Sequence, residues 1–132
     1  MTPLPVTLLT AATLTGVNGW LSNRIGALRR MHKISVGDAG NEALLRRMRA
    51  QANFIEFAPM FLIMLAALEL SQANRTLLAI VAAAFVAARI AHAVGMEGGP
   101  LQRWRMVGMM TSVLATVLLA LWAVLCVAGL GC

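Results

Sequence analysis

Arg49, Asn53 and Glu56 stand at i, i+4 and i+7, so a helix would carry all three on one face. A guanidinium, an amide and a carboxylate in that register can hold a small ligand that is itself both anionic and cationic. Arg89, His92 and Met96 repeat the pattern at i, i+3 and i+7. Asn53, Glu56, Glu69, Arg89 and His92 all fall inside otherwise apolar runs. Within a bilayer such residues are rare and mark functional sites by default. Glu69 lies near the end of its run and is expected to reach the interface. Two polar faces at similar depth predict an ion pair between Glu56 and Arg89, because either charge alone would cost several kcal/mol. The plainer alternative is that this pair only locks two helices together.

The surroundings favour a pocket. Arg46, Arg47, Arg49, Gln51, Asn53 and Glu56 converge on one boundary of an apolar run, and Arg29, Arg30, Arg103 and Arg105 belong to the same side. A basic cluster at a bilayer surface is by itself a topology signal or a lipid-headgroup contact. Continued into the membrane by an amide and a carboxylate, it suits a small anion with several carboxylates and an amine or amide. The two cysteines point elsewhere. Cys126 lies in an apolar run and Cys132 is the last residue, with no base beside them and no metal-ligand spacing. They read as a small buried hydrophobe and a loose tail, and no metal site is expected.

The elements that must position these groups follow from composition. The 132 residues are 60% hydrophobic and 12% charged, with a mean hydropathy of +0.79. A soluble domain carries about a quarter charged residues, so lipid is the expected solvent for most of the chain. Four runs approach the ~20 apolar residues needed to cross a bilayer: Leu4 to about Asn23, Asn53 to Leu70, Thr76 to about Val94, and Met106 to Gly131. They predict an all-α, integral membrane four-helix bundle that uses residues 1–132 as a single domain. The runs are continuous rather than alternating, which argues against a β-barrel. Thr2-Pro3 reads as the start of the first helix, and Asn41 or Asp38 as the cap of the second. The second helix is expected to extend about two turns beyond the membrane and to kink at Pro59. The fourth run, free of charge, is expected to be the most lipid-exposed.

The net charge of +6 would suggest nucleic acid in a soluble protein, but its distribution does not. Seven basic residues lie between the first two runs (Arg24, Arg29, Arg30, Lys33, Arg46, Arg47, Arg49) and two before the fourth (Arg103, Arg105). The loop between the second and third holds Arg75 alone. The positive-inside rule then places both basic loops in the cytoplasm and both termini outside it. The first run lacks a preceding base and a clear cleavage site, and reads as a retained helix.

The segment Arg49-Ala50-Gln51-Ala52-Asn53-Phe54-Ile55-Glu56-Phe57-Ala58-Pro59 resembles the second-helix signature of the MAPEG family, the membrane-associated proteins in eicosanoid and glutathione metabolism. Ala27-Leu28-Arg29-Arg30 with Val36 to Asn41 is similar to the family's first loop. Ala88-Arg89-Ile90-Ala91-His92-Ala93 with Gly95 is similar to its third helix, and Arg105-Met106-Val107-Gly108 to the start of its fourth. The resemblance, to a bacterial-type member, covers about residues 20 to 115. It implies a homotrimer of four-helix subunits that binds glutathione as cosubstrate between neighbouring subunits near the cytoplasmic face. Carried over, Arg49, Asn53 and Glu56 hold glutathione with Gln51 nearby, and Glu56 takes its α-amino group. Arg29 or Arg30 contacts a carboxylate, and Arg89 and His92 belong to the same site. Arg105, with Arg103 as runner-up, stabilises the thiolate, since a nearby guanidinium lowers a thiol pKa. A lipophilic electrophile enters from the bilayer. The chain has no tyrosine, whereas eukaryotic members place tyrosines around glutathione. Phe57 and Met96 take such places here.

Three functions compete. The first is a glutathione-dependent transferase or peroxidase. The second is a binding or scaffold protein that has the fold without the chemistry. The third is a small four-helix transporter, which usually carries its acid in the first helix. Here that helix has no acid, and an arginine neighbour would keep Glu56 ionised, suiting ligand binding better than proton exchange.

Overall fold

The computed structural model describes residues 4–132. Four helices follow one another: α1 (Pro5–His32), α2 (Glu42–Leu70), α3 (Arg75–Gly95) and α4 (Gln102–Val127), with a 3-10 turn at Gly99–Leu101 leading into α4. α1 packs on α2 and α3, and α4 on α2 and α3, giving a four-cornered bundle. The chain is thus an integral membrane helical bundle. α2, α3 and the Gly99–Val127 segment each contain a window long and apolar enough to span, with mean hydropathies of 1.6, 2.2 and 2.4.

α1 is long enough but less apolar, because threonines and glycines dilute it. Three of its hydroxyls are nevertheless satisfied within the helix. Thr10, Thr13 and Thr15 donate to the carbonyls of Val6, Leu9 and Ala11 at 2.7, 2.9 and 2.8 Å. Such back-bonding removes the cost of placing a hydroxyl in hydrocarbon. α4 presents Met110, Leu114, Leu118 and Leu121 outward, and its spanning window is the least buried of the three, as its lack of charge suggested.

Capping explains the boundaries. Asn41, not Asp38, caps α2, its side-chain oxygen accepting from the Leu44 amide at 2.9 Å. Asp38 instead closes the preceding turn on Gly40. Asn74 caps α3 in the same way through Leu77. α2 begins eleven residues before Asn53, about three turns rather than two, and continues as helix through Pro59. Thr2 and Pro3 lie outside the described residues, and α1 has Pro5 at its first position.

The N-terminus of α1 corrects the expectation for Glu69. That side chain is fully buried. Its carboxylate accepts from the amides of Val6 (3.0 Å) and Thr7 (2.8 Å) and from the Thr7 hydroxyl (2.8 Å). A carboxylate at the end of α2 therefore caps α1, where the free amides and the helix dipole favour an anion.

The cysteines are also corrected. α4 ends at Val127, the chain turns back, and Cys126 and Cys132 form a disulfide. Trp122 Nε1 donates to the Gly131 carbonyl at 2.8 Å and pins the same turn.

The core is formed by Leu14, Val17 and Leu21 of α1, Phe54, Phe61 and Leu65 of α2, Leu78 and Phe85 of α3, and Leu119 of α4. The Phe61 and Phe85 rings stack with centroids 3.8 Å apart. Two glycines let α3 and α4 approach closely. A Cβ on Gly108 would collide with the Ala88 carbonyl and the His92 backbone, and one on Gly95 with the Arg105 backbone. This contact brings His92 and Arg105 together.

Candidate functional site

A cleft of about 440 Å³ opens between α2, α3 and α4 at the end of the bundle that carries the basic loops. Arg49, Ala52, Asn53 and Glu56 line it from α2, His92 and Met96 from the end of α3, and Arg105, Met106 and Met109 from α4. Five of the polar residues selected from the sequence thus share one wall system: Arg49, Asn53, Glu56, His92 and Arg105.

Arg89 lies behind this wall. It is 2% exposed and makes three hydrogen bonds: Nη1 to Asn53 Oδ1 (2.7 Å), Nε to Ser112 Oγ (2.8 Å) and Nη2 to the Gly108 carbonyl (3.3 Å). The Phe57 and Phe85 rings lie 5.2 and 5.7 Å from its guanidinium carbon, within cation–π range. The predicted Glu56–Arg89 ion pair is absent among the described residues. Asn53, one turn earlier on α2, takes the guanidinium instead, and Glu56 sits exposed at the cleft. Neutral acceptors and two rings solvate the buried cation in place of a carboxylate.

This arrangement orients Asn53. Its amide oxygen is occupied by Arg89, so the amide nitrogen is left as a donor, only loosely engaged 3.9 Å from Met109 Sδ. The cleft therefore offers donors from Arg49, Asn53 and Arg105, one carboxylate from Glu56, and an imidazole. His92 Nδ1 lies 3.1 Å from the Arg105 carbonyl oxygen.

Gln51 and Arg29 are elsewhere. They line a second cleft of about 510 Å³ on the α1–α2 face, with Ser22, Gly26, Met48 and Ile55. Residues two apart on a helix point about 200° apart, so Gln51 turns away from Arg49 and Asn53. Its amide donates to Ser22 Oγ (2.6 Å) and Asn18 Oδ1 (3.1 Å). Arg29 Nη1 is buried without a hydrogen-bond partner, while its Nη2 meets Met48 Sδ at 3.5 Å. Ala52 borders both clefts, so α2 alone separates them. Arg30 is exposed and lines neither cleft. Arg103 lies over the Trp104 ring and is not part of the first cleft.

Sequence reasoning missed Glu97. From the α3–α4 loop, its carboxylate accepts from Arg24 of α1 and from Arg47 of α2 at 3.0 Å. Arg47 also donates to the Arg24 carbonyl at 2.9 Å. Burial is the main influence on Arg24 and lowers its pKa, with Glu97 opposing that effect and Arg47 adding to it. The clasp ties the loop next to Met96 to two other helices. The concentration of arginines toward this end of α1 and α2 was its one sequence signal. Ser112, the acceptor for Arg89, was missed as well; one turn after Gly108, it lies in the close α3–α4 contact.

A groove of about 540 Å³ between α1 and α3 is larger, but its lining has no ionisable side chain.

Among proteins of curated function none matches the sequence significantly. The model of the MAPEG family matches residues 7–125. With four helices in a membrane bundle and the polar face of α2 set against α3 and α4, the chain belongs to the MAPEG family.

Proposed function

We propose that the protein is a membrane-embedded, glutathione-dependent transferase or peroxidase acting on lipophilic electrophiles. The observation that carries this reading is the convergence of Arg49, Asn53, Glu56, His92 and Arg105 on one cleft. Glutathione has two carboxylates, one ammonium group and one thiol. The cleft sets a carboxylate among guanidinium and amide donors, the complement of such a ligand.

In this reading Glu56 takes the α-amino group. Arg49 pairs with a carboxylate, and the Asn53 amide nitrogen donates to the peptide. Arg105 faces the sulfur, because a guanidinium favours thiolate over thiol. Met106 and Met109 give the electrophile a pliable apolar wall reached from the bilayer.

The second cleft supports a shared site. Arg29 and Gln51 face away from Glu56 within a subunit, and the buried Arg29 Nη1 has no partner. In a homotrimer the α1–α2 face of one subunit would meet the α2–α4 face of the next. Arg29 would then supply a carboxylate contact across the interface. The charge bias of the basic loops supports a site near the cytoplasmic face, with both termini outside the cytoplasm.

The test is calorimetric titration of the purified trimer fraction with glutathione and with its amine-blocked analogue, alongside conjugation of a generic electrophile. Binding of glutathione but not of the blocked analogue, together with conjugation, is the expected outcome. Binding without conjugation would instead establish a scaffold or binding protein. Absence of binding would refute the glutathione reading.

A further inference from the structure

We propose that His92 is the proton acceptor for the thiol bound in the α2–α3–α4 cleft, its Nε2 taking the proton while its Nδ1 is held on the Arg105 carbonyl. This rests on the glutathione reading above.

A carbonyl oxygen can only accept, so the nitrogen 3.1 Å from it carries the hydrogen. In the neutral ring that leaves the lone pair on Nε2. Nε2 has no hydrogen-bond partner among the described residues, yet it is not among their sealed, unpartnered polar atoms. It is therefore accessible, in a residue that lines the cleft. The His92 backbone and Cβ lie against Gly108, which sets the residue in the close α3–α4 contact, and the Nδ1 contact with the Arg105 carbonyl orients the ring.

The other groups near the cleft do not fit this task. Arg49 of α2, Arg105 of α4 and Arg89 on the same helix as His92 are guanidiniums, which have no lone pair to accept with. Glu56 of α2 is engaged by the ligand's ammonium group. The chain has no tyrosine. His92 is the cleft's neutral base, and the Arg105 backbone fixes its tautomer while the Arg105 guanidinium faces the sulfur.

The step balances without a further reagent. The S–H bond breaks and its proton passes to Nε2, giving an imidazolium and a thiolate. The sulfur pair forms a bond to the electrophilic carbon, and the bond to the leaving group breaks with its electrons on that group. The imidazolium then returns its proton to the leaving group or to water.

The test is stopped-flow absorbance of bound thiolate formation on the intact membrane protein, comparing wild type with His92→Gln and His92→Ala. Glutamine keeps an N–H for the Arg105 carbonyl but removes the base. The rate should fall about 100-fold in both variants, in the range for loss of a general base, with glutathione affinity changed less than about threefold. Added imidazole should restore the rate in His92→Ala and not in His92→Gln. Wild type should lose rate as pH falls through imidazole protonation, and the glutamine variant should lose that limb. Nitrogen NMR of the unmodified protein should show the Nδ1–H tautomer. An unchanged rate in His92→Gln, or the Nε2–H tautomer in wild type, would overturn the assignment and leave the glutathione reading standing. Failure of wild type to bind a thiol would remove both.

Discussion

Replacing Arg89 by methionine should separate what this residue does for the fold from what it does for the site. Arg89 makes three hydrogen bonds to neutral acceptors and meets no carboxylate among the described residues. Each charged hydrogen bond contributes about 1.5–3 kcal/mol, but burying the cation costs several kcal/mol in return. Two of the acceptors are not stranded by the change. The Ser112 hydroxyl and the Gly108 carbonyl already bond to each other at 2.7 Å. Methionine also keeps most of the volume against Phe57 and Phe85. Arg89→Met should therefore change stability by about 1 kcal/mol or less, whereas Arg89→Ala adds a cavity and should cost about 2–4 kcal/mol.

The site should respond differently. Without Arg89 the Asn53 amide can rotate, and its donor is no longer aimed at the ligand. Losing one oriented hydrogen bond of about 1 kcal/mol weakens glutathione binding roughly fivefold. Melting in detergent and calorimetry on Arg89→Met, Asn53→Ala and the double variant form a closed cycle. The double variant should bind no worse than Asn53→Ala alone. Additive losses would show that Arg89 does not act through Asn53 and would refute the argument.

Glu56→Gln should leave the melting temperature unchanged, because Glu56 makes no ion pair among the described residues, yet reduce affinity for glutathione and not for its amine-blocked analogue. Arg105→Ala should abolish the bound-thiolate absorbance with affinity mostly retained, and Arg103→Ala should do neither; the reverse pattern would assign the sulfur to Arg103. Gly108→Ala should reduce the yield of folded protein, since its Cβ meets α3 backbone, with a cost above about 2 kcal/mol expected for overpacking against groups that cannot move. An impermeant label should reach tags at residues 1 and 132 from outside intact cells, and Gly37 only after lysis; Gly37 labelled from outside would invert the proposed topology.

The helices were legible because apolar runs and an asparagine cap are local signals, and Asn41 acts where it stands; Asn74 caps α3 by the same local means but was not singled out. The Arg49–Asn53–Glu56 face was legible for the same reason: helical periodicity alone puts them together. The same periodicity separates Gln51 from that face, and grouping it there followed the motif rather than the angle. Partners across helices were less legible. Arg89 was assigned the nearest opposite charge, but depth along α2 is set to within a turn by packing, and that turn decides between Asn53 and Glu56. Glu69 was misread because the end of one helix is also the place where another begins. The cysteine pair was missed through a boundary. Six residues of continuous helix would put Cys126 and Cys132 about 9 Å apart, too far to bridge, whereas the turn after Val127 brings their Cα atoms to 5.0 Å.

That small covalent loop links the fold to the chemistry of its compartment. Two thiols become a disulfide only by giving up two electrons, and the bond lasts where no thiol pool returns them. On the proposed topology, the end of the bundle closed by Cys126–Cys132 faces an oxidising space. The arginines favour the same orientation by an unrelated route, through their reluctance to be exported. On the proposed function and topology the chain would carry opposed requirements at its two ends: reduced glutathione supplied on one side of the membrane, and Cys126–Cys132 closed by oxidation on the other. On that reading, a molecule inserted with the opposite orientation would keep its bundle while losing both its thiol supply and its C-terminal clasp. The redox state of these two sulfurs in extracts quenched with acid would then record the orientation of each molecule.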